Sequence, residues 1–258
     1  DAELSECTTV AALPGASNDG RTWLAQNWDW TGDQRAACVM LRVREAGRPA
    51  ILTLAEAGMV GKSGINSAGV AVALNILASQ MDGRQPGMPV HVLLRLMLEC
   101  RSLDDAVALA RSERSGASSC ITVADTSGRV ICLEITPAGV GELHPTDDVL
   151  VHSNHCVTST ALPVACPIAK TSSTRERFTR AEELMNAGRG RIDAAYLAGV
   201  LRDEHDKPLC INREPDMSLH PCLRSESVCG LIMDVRERVL HVAPDVPSRA
   251  TFHALPVA

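Results

Sequence analysis

Apolar positions in the first third of the chain fall in short dense blocks at 7–13, 22–28, 37–43, 51–54 and 69–74. Turn signals such as Ser17-Asn18-Asp19-Gly20 and Gly47-Arg48-Pro49 separate them. Blocks of that length, bounded by Gly, Pro, Asn and Asp, read as strands joined in hairpins. The periodicity then changes. Val90, Leu93, Leu94, Met97 and Leu98 recur at the i, i+3, i+4, i+7, i+8 spacing of one helix face. Ser102, with Asp105 three residues on, opens a second helix over Leu103–Ser112 in the manner of a capping box. Dense blocks return at 120–124 and 130–135, linked by Asp125-Thr126-Ser127-Gly128, and again at 149–153. A helix over Thr174–Ala187 is stopped by Gly188, and Asp193 caps another that runs to about Asp203. Two last strands, 228–234 and Val239–Ala243, flank the charged turn 235–238. This order predicts an α+β chain in which two antiparallel sheets lie face to face with helices outside, a four-layer α/β/β/α sandwich. The Pro- and Cys-rich segments 156–173 and 204–223 are loops suited to the rim of a site.

Composition narrows the class. The 258 residues are 45% hydrophobic and 22% charged, enough for one sizeable core. A net charge of −6 without a basic stripe excludes a nucleic-acid-binding surface. No stretch reaches the ~18 apolar residues of a membrane helix; the longest candidate, 65–77, is broken by Asn66, Ser67 and Asn75. No signal peptide is visible, and the chain begins with Asp1 rather than Met, the mark of a processed product or a fragment. Trp23, Trp28 and Trp30 cluster within eight residues and read as core or as a pocket wall. Of the ten cysteines, Cys38, Cys120, Cys132 and Cys229 lie inside apolar runs, where cysteine behaves as a small hydrophobe. Reduced cysteines and a cytoplasmic location are expected, with room for one or two bridges among Cys156, Cys166, Cys210 and Cys222.

Several motifs fail on their spacing. Gly61-Lys62-Ser63 lacks the upstream glycine of a phosphate loop, since Glu56 stands there, and Gly64 follows instead of a helix. The glycines at 58, 61, 64 and 69 read instead as tight turns and close backbone approaches. His152 and His155 would point to opposite faces of a strand, and no CxxC or HxxxH completes a metal site. No G-x-S-x-G is present for a serine triad. The strongest chemical signal is Cys7 heading the strand-like run Cys7-Thr8-Thr9, with Asp29 22 residues on, room for a strand, a turn and a returning strand. A cysteine that begins a polypeptide carries its α-amine beside its thiol, so one residue can supply both base and nucleophile.

With these residues in view, the chain resembles the isopenicillin N acyltransferase family (acyl-coenzyme A:6-aminopenicillanic acid acyltransferase and its relatives), within the N-terminal nucleophile (Ntn) hydrolases. The anchors are Cys7-Thr8-Thr9, Gln26-Asn27-Trp28-Asp29, Glu56-Ala57-Gly58 through Gly61-Lys62, Asn66 through Val72, Pro89 through Arg95, and His152-Ser153-Asn154-His155-Cys156. They keep their order over nearly the whole chain from Cys7 onward. The resemblance implies the Ntn hydrolase fold and a precursor that cuts itself before the nucleophilic cysteine, here between Glu6 and Cys7. Residues 1–6 would end the released α segment, which stays bound, and 7–258 would form the catalytic β subunit. Glu6 stands where the fungal enzyme commonly has glycine.

The resemblance also implies roles. Cys7 would be the nucleophile, and its amine, with a reference pKa of ~7.7–8, the base. Asp29 would orient or charge-balance the ammonium, and Asn154 would hold the oxyanion. Arg224, counted back from Leu231-Ile232-Met233-Asp234, aligns with a catalytic arginine, with Arg213 as its rival. The expected reaction is amide hydrolysis on a small N-acylated molecule through an acyl-thioester. The alternatives are N-acyl transfer to an amine, perhaps from acyl-coenzyme A, and a binding protein that kept the fold without the chemistry. No cofactor, metal, nucleic acid or membrane enters this reading.

Overall fold

The computed structural model describes residues 6–208, 210–221 and 224–258. One sheet has the order β10-β1-β2-β11-β12-β13, built from Val149–His152, Glu6–Ala12, Trp23–Trp30, Glu226–Asp234, Val239–Ala243 and His253–Pro256. The other runs β3 through β9 in sequence order: Cys38–Val43, Ile51–Glu56, Gly64–Asn66, Val70–Ile76, Ser119–Asp125, Val130–Thr136 and Gly139–Leu143. The helices are α1 (Val90–Met97), α2 (Leu103–Ser112), α3 (Thr174–Ala187) and α4 (Ala194–Leu201), with short 3-10 turns at Gly32–Ala37 and Leu162–Val164.

Three apolar layers hold four structural layers together. Period-two alternation sends Cys7, Ala11, Leu24 and Trp28 into the core between the sheets, where they meet Leu52, Ile65, Ala73 and Cys132. The intervening residues Val10, Ala12, Trp23 and Ala25 pack instead against Ala181, Met185, Leu197 and Leu201 of α3 and α4. On the far side, Leu93, Leu94 and Met97 of α1 and Ala106 and Ala110 of α2 cover Val72, Leu74 and Ile121. The result is the expected α/β/β/α sandwich. Ser102 Oγ accepts from Asp105 N–H and Asp193 Oδ1 from Tyr196 N–H, so both predicted N-caps are made.

Gly64 is required by a close approach, because a Cβ there would stand 2.4 Å from Leu52 O, and Gly69 by its φ of +84°. Among the described residues no helix is long and apolar enough to cross a membrane. The nine described cysteines are unbridged, including Cys156, Cys166 and Cys210; Cys222 lies outside the described residues.

Candidate active site

The site lies at one end of the β1–β2–β11 triplet. Antiparallel pairing sets Glu6 opposite Asp29 and Cys7 opposite Trp28. On the other edge of β2, Ser227 lies opposite Asp29, and a bulge between Ser227 and Cys229 resets the register. Bulges of this kind re-aim side chains beside active sites, and here Ser227 Oγ donates to Asp29 Oδ1 at 2.7 Å. Alternation turns the Cys7 thiol toward the core between the sheets, while Thr8 and Asp29 face the helix layer.

Cys7 is 1% exposed, and its backbone N–H donates to Asn154 Oδ1 at 2.7 Å. The side chain of Arg177, from α3, is fully buried. It donates to Cys7 O at 2.7 Å, Thr8 Oγ1 at 2.8 Å and Asn154 Oδ1 at 3.0 Å. Two donors thus converge on Asn154 Oδ1, which fixes the orientation of the amide. Its Nδ2 donates to Ile76 O at 3.0 Å. Asn75 Nδ2 adds a second donor to Cys7 O at 3.1 Å.

Glu6, on the other side of the expected cut, is held as firmly. Its carboxylate is 1% exposed and pairs with Arg213 Nη2. Arg177 Nη2 lies 3.5 Å away, and Ser172 Oγ donates at 2.8 Å and Ser173 N–H at 3.3 Å. Arg213 also donates to Ser225 Oγ and Ser173 Oγ. Burial lowers its pKa to about 10, which leaves it charged at neutral pH.

Burial, then the charge of Asp29, push the Cys7 thiol up to about 12; Lys62 and Arg177 oppose them. Lys62 sits 3.3 Å above the Trp28 ring and 2.8 Å from Glu56, so its ammonium is fixed on the thiol's side of the sheet. Burial also raises Asp29 to about 7 against Arg177 and Ser227, and its Oδ2 has no hydrogen-bond partner among the described residues.

That shift has a sign. An unfolded aspartate titrates near ~3.9, so between about pH 4 and about pH 7 the folded chain holds a proton that the unfolded chain has lost. Stability therefore falls as pH rises through that window, by up to roughly 4 kcal/mol, and levels off above it. Urea unfolding of the uncut Cys7→Ala chain should show this slope, and adding Asp29→Asn should remove it. Equal slopes in both chains would assign the pH dependence to other groups.

The structure brings Cys7, Asp29 and Asn154 together and leaves Arg224 on its own loop. Arg224 donates to Leu219 O and Met217 O. The guanidiniums at the expected cut are Arg213, the rival weighed from sequence, and Arg177, which the sequence reading passed over. A charged residue in the polar run TRERFTRAEELMNA reads as solvent-facing. Yet Thr174, Arg177, Ala181 and Met185 are the buried residues of that helix, and their spacing forms one stripe. Reading the stripe would have pointed to Arg177. The expectation for Asn154 also changes in detail: in the uncut chain its carbonyl oxygen, not its NH2, meets Cys7.

A cavity of about 180 Å³ opens beside Asn154, lined by Ala78, His155, Leu162, Ala165, Ile168 and Arg175 among others. Much of the wall comes from the Pro- and Cys-rich loop that follows β10. Burial, then the charges of His152 and Arg175, lower His155 to about 4, so it is neutral there.

Among solved structures, penicillin V acylase from Agrobacterium tumefaciens is 16% identical, covering 92% of this chain and 82% of its own, with a TM-score of 0.62. The Caenorhabditis elegans ortholog of N-acylethanolamine-hydrolyzing acid amidase is 16% identical, covering 97% and 100%, with a TM-score of 0.65. At those identities the likeness is one of fold. In sequence, the 40 kDa form of acyl-coenzyme A:6-aminopenicillanic-acid-acyltransferase from Emericella nidulans is 32% identical over 210 residues, which is 80% of this chain. The match covers 56% of that relative, so this chain spans little more than half its length. The family model for acyl-coenzyme A:6-aminopenicillanic acid acyl-transferase matches residues 16–223. With most of its length matched by that model and a third of its aligned residues shared with a member, the chain belongs to the acyl-coenzyme A:6-aminopenicillanic acid acyl-transferase family.

Proposed function

We propose that this chain carries the catalytic part of an enzyme that cuts its own Glu6–Cys7 bond. It then hydrolyses an amide of a small N-acylated molecule through an acyl-thioester on Cys7. The observation that carries the reading is the hydrogen bond from Cys7 N–H to Asn154 Oδ1. That nitrogen is the atom whose chemistry changes on cleavage. In the uncut chain it is an amide and cannot take a proton, and the buried thiol stays protonated. After the cut it is an amine of pKa ~7.7–8, already anchored. Asp29, with an unpartnered oxygen, is its charge-balancing neighbour.

The amine takes the thiol proton, and the thiolate attacks the acyl carbonyl. The ammonium returns the proton to the leaving nitrogen, and water, deprotonated by the amine, then releases the acid. For the oxyanion, Asn154 Nδ2 exchanges Ile76 O for the substrate oxygen, one acceptor for another, at little cost in hydrogen bonds. The cavity beside Asn154, walled in part by Leu162, Ala165 and Ile168, is the seat for the acyl group. Asn154→Ala should lower kcat by ~10²–10³; a loss confined to KM would give Asn154 a binding role only. Residues 1–6 end the segment removed, which stays as the partner of 7–258. A cytoplasmic location fits cysteines such as Cys120, Cys132 and Cys229, which lie buried in apolar strands as small hydrophobes.

N-acyl transfer is the second reading, favoured by the Emericella relative, which is named an acyltransferase. Processed protein given an N-acyl substrate and rising concentrations of an acceptor amine separates the two. Release of free acid that ignores the amine marks a hydrolase, and a new amide that grows with the amine marks a transferase. No turnover on any N-acyl substrate, together with a Cys7 that iodoacetamide does not label, would leave a binding protein.

A further inference from the structure

Between the two sheets, β7 and β8 bring two further thiols into contact. Cys120 Sγ lies 2.9 Å from Cys132 Sγ, and both residues are fully buried. Pairing sets Cys120 opposite Glu134 and Thr122 opposite Cys132, so the cysteines are diagonal neighbours on one face. His152, on β10, completes the group: one of its ring nitrogens and the two sulfurs all lie within 4.8 Å of one another.

The geometry makes His152 a cation. Its Nδ1 is 2.8 Å from Ser153 O, a carbonyl that can only accept. Its Nε2 is 2.8 Å from Glu134 Oε1. That carboxylate also accepts from Val157 N–H, Thr158 N–H and the Thr158 hydroxyl, so it is ionised and accepts from His152 too. Both ring nitrogens therefore carry protons. A buried thiol is ordinarily inert, but a thiolate beside a fixed cation is the reactive form. Burial pushes Cys132 up, yet the S–H of Cys120 and the charge of His152 more than offset it and hold its pKa below the usual value. Burial, with the neighbouring sulfur, keeps Cys120 well above it. One sulfur is the nucleophile and the other carries the proton.

We propose that Cys120 and Cys132 form an internal dithiol–disulfide couple, primed by His152 and oxidised by hydrogen peroxide. The Cys132 thiolate attacks one peroxide oxygen; the O–O bond breaks and hydroxide leaves, giving a sulfenic acid. The sulfur of Cys120 then attacks that of Cys132; the S–S bond forms, the S–O bond breaks, and the thiol proton leaves with the hydroxyl as water. The two sulfurs lose two electrons and the peroxide oxygens gain them. An oxidant close to water in size suits a site without exposed surface. A metal ion is the competing occupant, but both nitrogens of His152 are already committed to acceptors.

The test treats the folded full-length protein with hydrogen peroxide, quenches with catalase and unfolds it in iodoacetamide. Digestion with trypsin and a glutamate-specific protease then places Cys120 in peptide 115–129 and Cys132 in peptide 130–134. The expected product is a linked pair two hydrogen masses lighter than the two thiol peptides together. Dithiothreitol should separate it, and Cys132→Ser should lack it. Recovery of both wild-type peptides alkylated after peroxide overturns the proposal, whatever the variant does. So does a stoichiometric metal ion in the untreated protein, measured by plasma mass spectrometry.

Discussion

Cys7→Ala in the full-length gene product is expected to give one unbroken chain where the wild type gives two fragments parted between Glu6 and Cys7. Amide hydrolysis should fall by on the order of 10⁴-fold or more, the usual outcome when a nucleophile is removed. The fold should survive, because the thiol is a small group in a core that Trp28, Leu24 and Ala11 continue to fill. Both effects trace to one atom. Without sulfur there is nothing to attack the Glu6 carbonyl, so the amine is never released and the base never appears. Intact mass and circular dichroism settle it together. A folded Cys7→Ala chain that still breaks at the same bond would mean that another protease makes the cut. An unbroken wild type would withdraw the amine-as-base mechanism for this form.

The second large effect separates two arginines. Arg177→Met keeps most of the buried volume but removes the donors to Cys7 O, Thr8 Oγ1 and Asn154 Oδ1. It also leaves Glu6 with one guanidinium instead of two. Breaking a buried ionic contact of this kind typically costs ~3–5 kcal/mol, most of it for the groups left without partners. Self-cleavage should stall in the fraction that still folds, because the nitrogen and carbonyl of Cys7 both lose a fixed point. Arg224→Ala removes contacts to two carbonyls of its own loop. It should leave stability within ~0.5 kcal/mol and the cleavage rate within about twofold. Urea unfolding and a cleavage time course on both variants decide the matter. Loss of cleavage in Arg224→Ala with Arg177→Met intact would return the role to the arginine that the family resemblance implies.

The sequence was legible where one periodicity dominated. The Val90–Leu98 stripe, the Ser102 and Asp193 caps and the apolar blocks on β1, β2, β7 and β8 each follow from local chemistry that tertiary contacts did not override. The missed elements lacked that signal. β5 is three residues long, β9 begins at Gly139 and is mostly half-buried, and β13 is largely exposed, so none shows a clean alternation. Cys7, Asp29 and Asn154 are named by the short motifs around them, and the structure brings these three together. Arg177 is far from any motif and reaches Cys7 only through the packing of α3 on β1, which no local pattern encodes. The count that names Arg224 runs back from Leu231 through the bulge of β11 into the loop before it, and neither a bulge nor a loop preserves count.

Glu6, Asp29 and Ser227 stand side by side across three strands, and this row governs how the chain can change length. The exposed Asp19–Gly20 turn could take an extra residue without moving Asp29, because the ladder of β1 and β2 beyond the turn fixes what faces Glu6. One residue inserted within β2 would flip every following side chain to the opposite face. Asp29 would then turn toward the core between the sheets, and the nitrogen of Cys7 would lose its acidic neighbour. The separation of Cys7 and Asp29 along the chain is thus free to drift in the hairpin tip and locked in the strand, so register, rather than spacing, is what the site inherits.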